Sequence, residues 1–204
     1  GSKPYTIPGY RIDPDYDSVR FGIPDLRNIK LASSAADIMG KKLVSCETAT
    51  WLGNHFKVSL SQVKPIIDEV FVGGVNHVFY HGATYSPPEV AWPGWLFYAS
   101  TNFNPQSHFW GALPELNKYI ETCQSMLQKY PTDSDLLLYF PMEDIWHQRN
   151  TPGKTHALDL HANSRDWMIQ TPFGKWSNAL QNRGFQVDYV SDYLLSTLQV
   201  VSPK

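Results

Sequence analysis

Cysteine is scarce in this chain of 204 residues: Cys46 and Cys123 stand far apart and no CxxC occurs. That pattern argues against a disulfide framework and against a structural zinc site, each of which needs several closely spaced thiols. Both thiols read as buried and inert, Cys46 inside a strand and Cys123 on the apolar face of a helix. A basic run is also missing, and the formal net charge is −2. No nucleic-acid partner is expected, because phosphate recognition needs clustered Lys and Arg. No apolar stretch approaches the ~20 residues a bilayer-spanning helix requires, so no membrane partner is expected either. The 7 histidines are scattered without HExxH or a comparable ligand spacing, which leaves metal ligands unassigned. Gly1-Ser2 reads as the remnant of a cleaved tag, so a signal peptide and the compartment are not legible. The remaining composition, 42% hydrophobic and 18% charged, is that of a globular chain with room for one or two domains.

Aromatic residues, by contrast, are abundant and unevenly placed. Ten Phe, Trp and Tyr residues fall between Phe79 and Trp110, with His81 and His108 among them, in a segment broken by Pro87, Pro88, Pro93 and Gly94. Flat rings flanked by polar tips suit a ligand that has apolar C–H faces and many hydroxyls, as a sugar does. The plainer alternative is a long loop folded over a core by its own rings.

The chain's periodicity supplies the frame for that loop. Residues 3–32 carry Pro, Tyr, Asp and Arg without sustained periodicity and read as an extended arm. Ser33 or Ser34 is then expected to cap a short helix that Gly40 ends, followed by an apolar strand over 43–47. Val63, Ile66, Ile67, Val70 and Phe71 fall at i, i+3, i+4, i+7 and i+8, with Ser59 or Ser61 as cap and Gly73-Gly74 as stop. Pro65 fits that helix only within its first turn. A strand over 75–80 completes a βαβ unit, which implies parallel strands and a right-handed crossover. Pro114 opens a second helix with the stripe Leu116, Tyr119, Ile120, Cys123, Leu127 and Tyr130. Residues 136–140 form a fully apolar strand of the kind buried on both faces of a parallel sheet. A polar connection over 142–163, a helix near 173–183 with Pro172 at its break, and a strand over 186–190 follow.

Ligands of parallel α/β sheets gather at the carboxyl ends of the strands. Four polar clusters lie at such ends: Glu47-Thr48-Ala49-Thr50-Trp51, His81-Gly82-Ala83-Thr84-Tyr85, Glu143-Asp144 and Ser191-Asp192. Glu47 and His81 end neighbouring strands of one βαβ unit and should share a rim. A carboxylate there, walled by Trp51 and Tyr80, is placed to act as base or nucleophile; a helix cap or an arginine partner is the structural alternative. His81 has a structural alternative as a hydrogen-bonded histidine, and Glu143 and Asp144 as a solvated pair.

Read together, Ala35-Ala36-Asp37-Ile38-Met39-Gly40-Lys41-Lys42-Leu43-Val44-Ser45-Cys46-Glu47, Phe71-Val72-Gly73-Gly74-Val75-Asn76-His77 and Phe79-Tyr80-His81-Gly82 resemble the bacterial α-L-rhamnosidases of glycoside hydrolase family 106. The similarity continues through Trp92-Pro93-Gly94-Trp95, Asn117-Lys118-Tyr119-Ile120, Leu136-Leu137-Leu138-Tyr139-Phe140-Pro141 and Val187-Asp188-Tyr189-Val190. Members of that family are much longer. The resemblance implies a partial TIM-barrel-like βαβ segment followed by the start of a flavodoxin-like parallel α/β unit. The expected division is 1–32 as arm, 33–133 as barrel-derived segment and 134–204 as second α/β unit. It implies Glu47 as general base of an inverting hydrolase that removes terminal rhamnose from glycans, with His81, Tyr80, Trp51, Trp95 and Tyr85 at the sugar. It also implies calcium as cofactor, carbohydrate as partner, and a periplasmic or extracellular setting.

Glycoside hydrolysis normally takes two carboxyl groups. By the same resemblance the acid is expected upstream of Gly1, which implies an isolated chain whose rings stack on sugar without turnover. A non-catalytic carbohydrate-binding or structural module is the alternative, and a free-standing flavodoxin-like domain a third reading. Unpaired strand edges lead to an expected homo-oligomer, or to a sheet that borrows the N-terminal arm.

Overall fold

In a computed structural model, the described residues are 25–50, 55–97, 101–130, 132–148 and 168–199. Helix α1 (Leu26–Ile38) begins where Asp25, in extended conformation, accepts the backbone N–H of Arg27. The expected caps, Ser33 and Ser34, lie inside this helix and are buried. Their hydroxyls serve tertiary contacts instead: Ser33 donates to the Gly73 carbonyl at 2.6 Å and Ser34 to Asp188 Oδ1 at 3.0 Å. Two small polar side chains let α1 approach two partners closely, something local propensity does not reveal. The helix takes over residues 26–32 of the expected arm; residues 1–24 lie outside the described set.

Strand β1 (Ser45–Thr48), helix α2 (Leu60–Val72) and strand β2 (His77–Tyr80) form the expected parallel βαβ unit, with Ser45 opposite His77 and Thr48 opposite Tyr80. The α2 stripe is as the spacing predicts, with Val63, Ile66, Ile67 and Val70 buried. Gln62 reaches back to accept the Ser59 N–H at 2.9 Å. Pro65 sits in the second turn, not the first. A proline inside a helix costs ~3 kcal/mol, whereas each buried aliphatic side chain contributes about 1.5–3 kcal/mol. The stripe wins, and the helix runs through.

A single 3-10 turn (Trp110–Ala112) leads into helix α3 (Leu113–Lys129), with Pro114 in its first turn. Leu113, Leu116 and Ile120 join Val63 and Ile67 of α2 in one core with Phe103 and Phe109. Leu127 and Tyr130, expected on that stripe, are exposed, because the core ends at Ile120. Helix α3 also covers the outer edge of β2: Gln124 accepts the Val78 N–H at 2.6 Å and Gln128 donates to the Asn76 carbonyl at 2.6 Å. Amide side chains thus occupy backbone groups that would otherwise invite another strand. The two thiols are free and partly exposed, not fully buried as expected.

A second parallel pair, β3 (Leu136–Tyr139) and β4 (Val187–Val190), is joined through α4 (Met142–Gln148) and α5 (Pro172–Gln181) and followed by α6 (Asp192–Thr197). Helix α4 opens the expected polar connection, and Thr171 caps α5 by accepting the Gly174 N–H. The burial expected of 136–140 is found elsewhere. Leu136, Leu137 and Tyr139 are exposed, while β4 is buried along its whole length. Helix α5 packs Phe173 on Tyr189, centroids 4.8 Å apart, and α1 brings Lys30 and Ser34 onto Asp188 of the same strand. Both helices converge on β4, which is why it, and not β3, is the buried strand of the pair. The fold is a mixed α/β arrangement of two short parallel strand pairs.

Candidate active-site face

Alternation along β1 and β2 sorts their side chains onto two faces. Thr48, Val78 and Tyr80 turn toward the helices: Thr48 is fully buried, Val78 and Tyr80 pack on the α2/α3 core, and the Tyr80 ring stacks on Phe103 at 4.3 Å. Ser45, Glu47, His77 and Phe79 lie on the other face, which no helix covers among the described residues. Phe79 there is 50% exposed although it sits mid-strand. Ser45 Oγ and His77 Nδ1 are hydrogen-bonded at 3.0 Å, and the His77 ring meets Phe79 edge-on at 4.6 Å. Glu47 is exposed and in register with Phe79, one residue short of the carboxyl end of β1.

Tyr80, expected beside Glu47 at the sugar, is on the opposite face. Its hydroxyl donates to Asn117 Oδ1 at 2.7 Å, and burial pushes its phenol up to about 12. That tyrosine braces β2 against α3. The alternation that places Phe79 outward necessarily turns Tyr80 inward.

His81 continues the ladder, its N–H donating to the Thr48 carbonyl at 3.0 Å. The imidazole lies edge-on to Phe97 of the aromatic segment, centroids 5.3 Å apart, and its Nδ1 is buried without a hydrogen-bond partner. Glu47 near the end of β1, His81 just past β2 and the aromatic segment, through Phe97, thus lie toward the carboxyl ends of one strand pair. Tyr85 and Trp95 meet edge-to-face at 6.2 Å farther along that segment. Trp51 lies outside the described residues. The remaining acidic clusters have structural work: Glu143 and Asp144 occupy the first turn of α4, where the helix dipole favours them, and Asp192 accepts the Tyr139 hydroxyl at 2.9 Å.

One group of residues escaped the sequence reading. Segment 101–104 returns beside the strand ends, the Thr101 N–H donating to the Thr50 carbonyl at 3.1 Å and the Phe103 N–H to the Gly82 carbonyl at 3.0 Å. It buries Thr101, Asn102, Asn104 and, just beyond, Ser107. Asn102 is paired with His55 Nδ1 at 3.0 Å. A polar Thr-Asn-Phe-Asn stretch in a loop gave no sign of burial; only Phe103, its anchor in the core, hinted at it.

The sequence profile of glycoside hydrolase family 106, alpha-L-rhamnosidase, matches residues 21–160. The chain belongs to that family. Among solved structures, a rhamnosidase from Novosphingobium sp. PP1Y is similar, with a TM-score of 0.56 and 19% identity over 87% of this chain. At that identity the likeness is one of fold, and the chain spans 15% of that protein's length. No curated protein matches the chain by sequence. Membership makes an α-L-rhamnosidase-like glycoside hydrolase the frame for the face just described.

Proposed function

We propose that this chain forms part of the catalytic region of an inverting α-L-rhamnosidase, with Glu47 as the general base. The observation that carries the reading is the placement of Glu47: a carboxylate near the carboxyl end of a parallel strand, on the face away from the helices, with His81 just past the end of the neighbouring strand. In a βα barrel that face is the interior and that end holds the chemistry. The β1–α2–β2 unit, helices on one side only, is what a segment of such a barrel would be.

In the inverting reaction Glu47 would take a proton from water as its oxygen attacks the anomeric carbon. A second carboxylic acid, about 6.5–9.5 Å away, would protonate the departing glycosidic oxygen. Glu47 is the only carboxylate of the face formed by Ser45, Glu47, His77 and Phe79, so the acid would come from elsewhere in the longer protein. His81 and the near end of the aromatic segment, at Phe97, would border the terminal sugar. Calcium takes six or more oxygen ligands, and among the described residues no three His, Cys, Asp or Glu side chains gather. The described acidic side chains would supply at most part of such a shell.

The lone carboxylate also supports a second reading, in which the chain by itself binds carbohydrate without cleaving it. The second is tested with this chain alone, which should bind rhamnose without turnover; the first is tested in the longer protein with a chromogenic α-L-rhamnoside. Glu47→Gln should lower kcat by at least about a hundredfold, the scale of a lost general base, with binding retained, and proton NMR of the wild-type reaction should show β-L-rhamnose as first product. Undiminished turnover in Glu47→Gln would remove Glu47 from the chemistry; α-L-rhamnose as first product would rule out inversion.

A further inference from the structure

The aromatic segment exposes more ring surface than a loop needs for its own packing, and the exposed rings are held in place. Tyr85 is 72% and Trp95 53% exposed. Their backbones are clipped together, since Ser86 Oγ accepts the Trp95 N–H at 2.8 Å. Gly94, at φ +79, packs so closely on Ser86 that a Cβ there would collide with it. Two turns tie the intervening residues: the Val90 N–H donates to the Pro87 carbonyl at 3.0 Å and the Gly94 N–H to the Ala91 carbonyl at 2.9 Å. Trp92 braces the outer side against Phe56, centroids 5.3 Å apart. The Tyr85 and Trp95 rings stand 73° to one another, making a corner with open ring faces. Residues 82–97 contain Glu89 as their sole charged side chain, so nothing in the corner selects an anion or a charged peptide. At its other end the segment joins the strand-end face through the contact of Phe97 with His81.

We propose that Tyr85 and Trp95 form an outer carbohydrate subsite, stacking on a neutral pyranose ring beyond the terminal sugar, so that the chain selects an extended glycan over a small rhamnoside. The inference rests on the rhamnosidase reading for the identity of that terminal sugar. A rigid corner keeps the ordering cost of binding low, and a pyranose offers it a flat C–H face while its hydroxyls stay in water.

The test is calorimetric titration of this chain with a neutral rhamnose-capped tetrasaccharide and with methyl α-L-rhamnoside, with sedimentation run alongside. The tetrasaccharide should bind about tenfold more tightly, the gain expected from covering one ring face. Tyr85→Ala and Trp95→Ala should each remove most of that gain and leave the small glycoside unchanged; circular dichroism verifies that both variants fold. Glu47→Gln should keep the gain, so a failed catalytic assignment leaves this readout intact. Equal affinity for the two ligands would overturn the proposal, as would an unchanged preference in both aromatic variants. So would a wild-type dimer that dissociates in Trp95→Ala, which would assign the corner to a second copy of the chain.

Discussion

Lys30 and Asp188 bind α1 to β4 through an ion pair of 2.7 Å whose side chains are 8% and 4% exposed. Replacing Lys30 by Met removes the cation and leaves the carboxylate buried among Ser34, Ser134 and Asp37. Breaking a buried pair from one side costs about 3–5 kcal/mol, against about 0–1 kcal/mol for a pair in water. The chain carries its own control. Lys64 and Asp68 are paired at 2.6 Å across one turn of α2 with side chains 47% and 39% exposed. With a urea slope of about 2 kcal/mol per molar, Lys30→Met should move the unfolding midpoint down by about 1.5–2.5 M, and Lys64→Met by under about 0.5 M. The loss should also depend on pH. In the wild type, burial pushes the Asp188 carboxyl up, but the Lys30 ammonium and the Ser134 hydroxyl bring it below its usual range. Its contribution to stability is therefore present above the ordinary carboxylate pKa and lost as pH falls through the lowered value. Without Lys30 the burial wins, Asp188 takes up a proton in the folded state, and the variant's deficit shrinks toward acid pH. Urea titrations at several pH values, followed by tryptophan fluorescence, measure all of this. Equal midpoint shifts for Lys30→Met and Lys64→Met would refute the reasoning.

Asp37 shares the same cluster from the other side: burial first, then its hydrogen bond with Asp188, raises it to about 6. A raised carboxyl contributes stability that is complete below its unfolded value and lost as pH rises through the folded one, so Asp37→Asn should match the wild type near pH 4 and exceed it near pH 7. A variant with the wild-type pH profile in urea titrations would remove Asp37 from this role. Gly74 stands at φ +90 with a Cβ position 2.6 Å from the Ser33 Cβ; Gly74→Ala should cost about 1–3 kcal/mol through strain alone, and thermal melts would register it. Glu47→Gln, at an exposed position on the sheet face, should shift the melting temperature little while it stops turnover. A large drop in that temperature would mean the carboxylate works for the fold instead.

Much of the fold was legible because it is local. The α2 stripe and the Gly73-Gly74 stop give the βαβ unit directly, since an apolar face of period 3.6 between two apolar runs leaves few alternatives. The start of α1 was not legible, because Ser33 and Ser34 look like caps in sequence while their hydroxyls are spent on Gly73 and Asp188. The uniformly apolar β3 was expected to be buried on both faces, yet β4, interrupted by Asp188, is the buried strand. A buried aspartate is tolerated there only because Lys30 arrives from 158 positions away, and no window of sequence contains both.

For the candidate site the division is similar. The sequence by itself determined that Glu47 and His81 lie near the carboxyl ends of neighbouring parallel strands and that a ring-rich segment follows, because strand, helix and strand in immediate succession fix that geometry. Tertiary structure decided which way each side chain faces. Packing of α3 against Val78 and Tyr80 takes one side of the pair and leaves Glu47 and Phe79 on the other, since alternate residues of a strand cannot share a face.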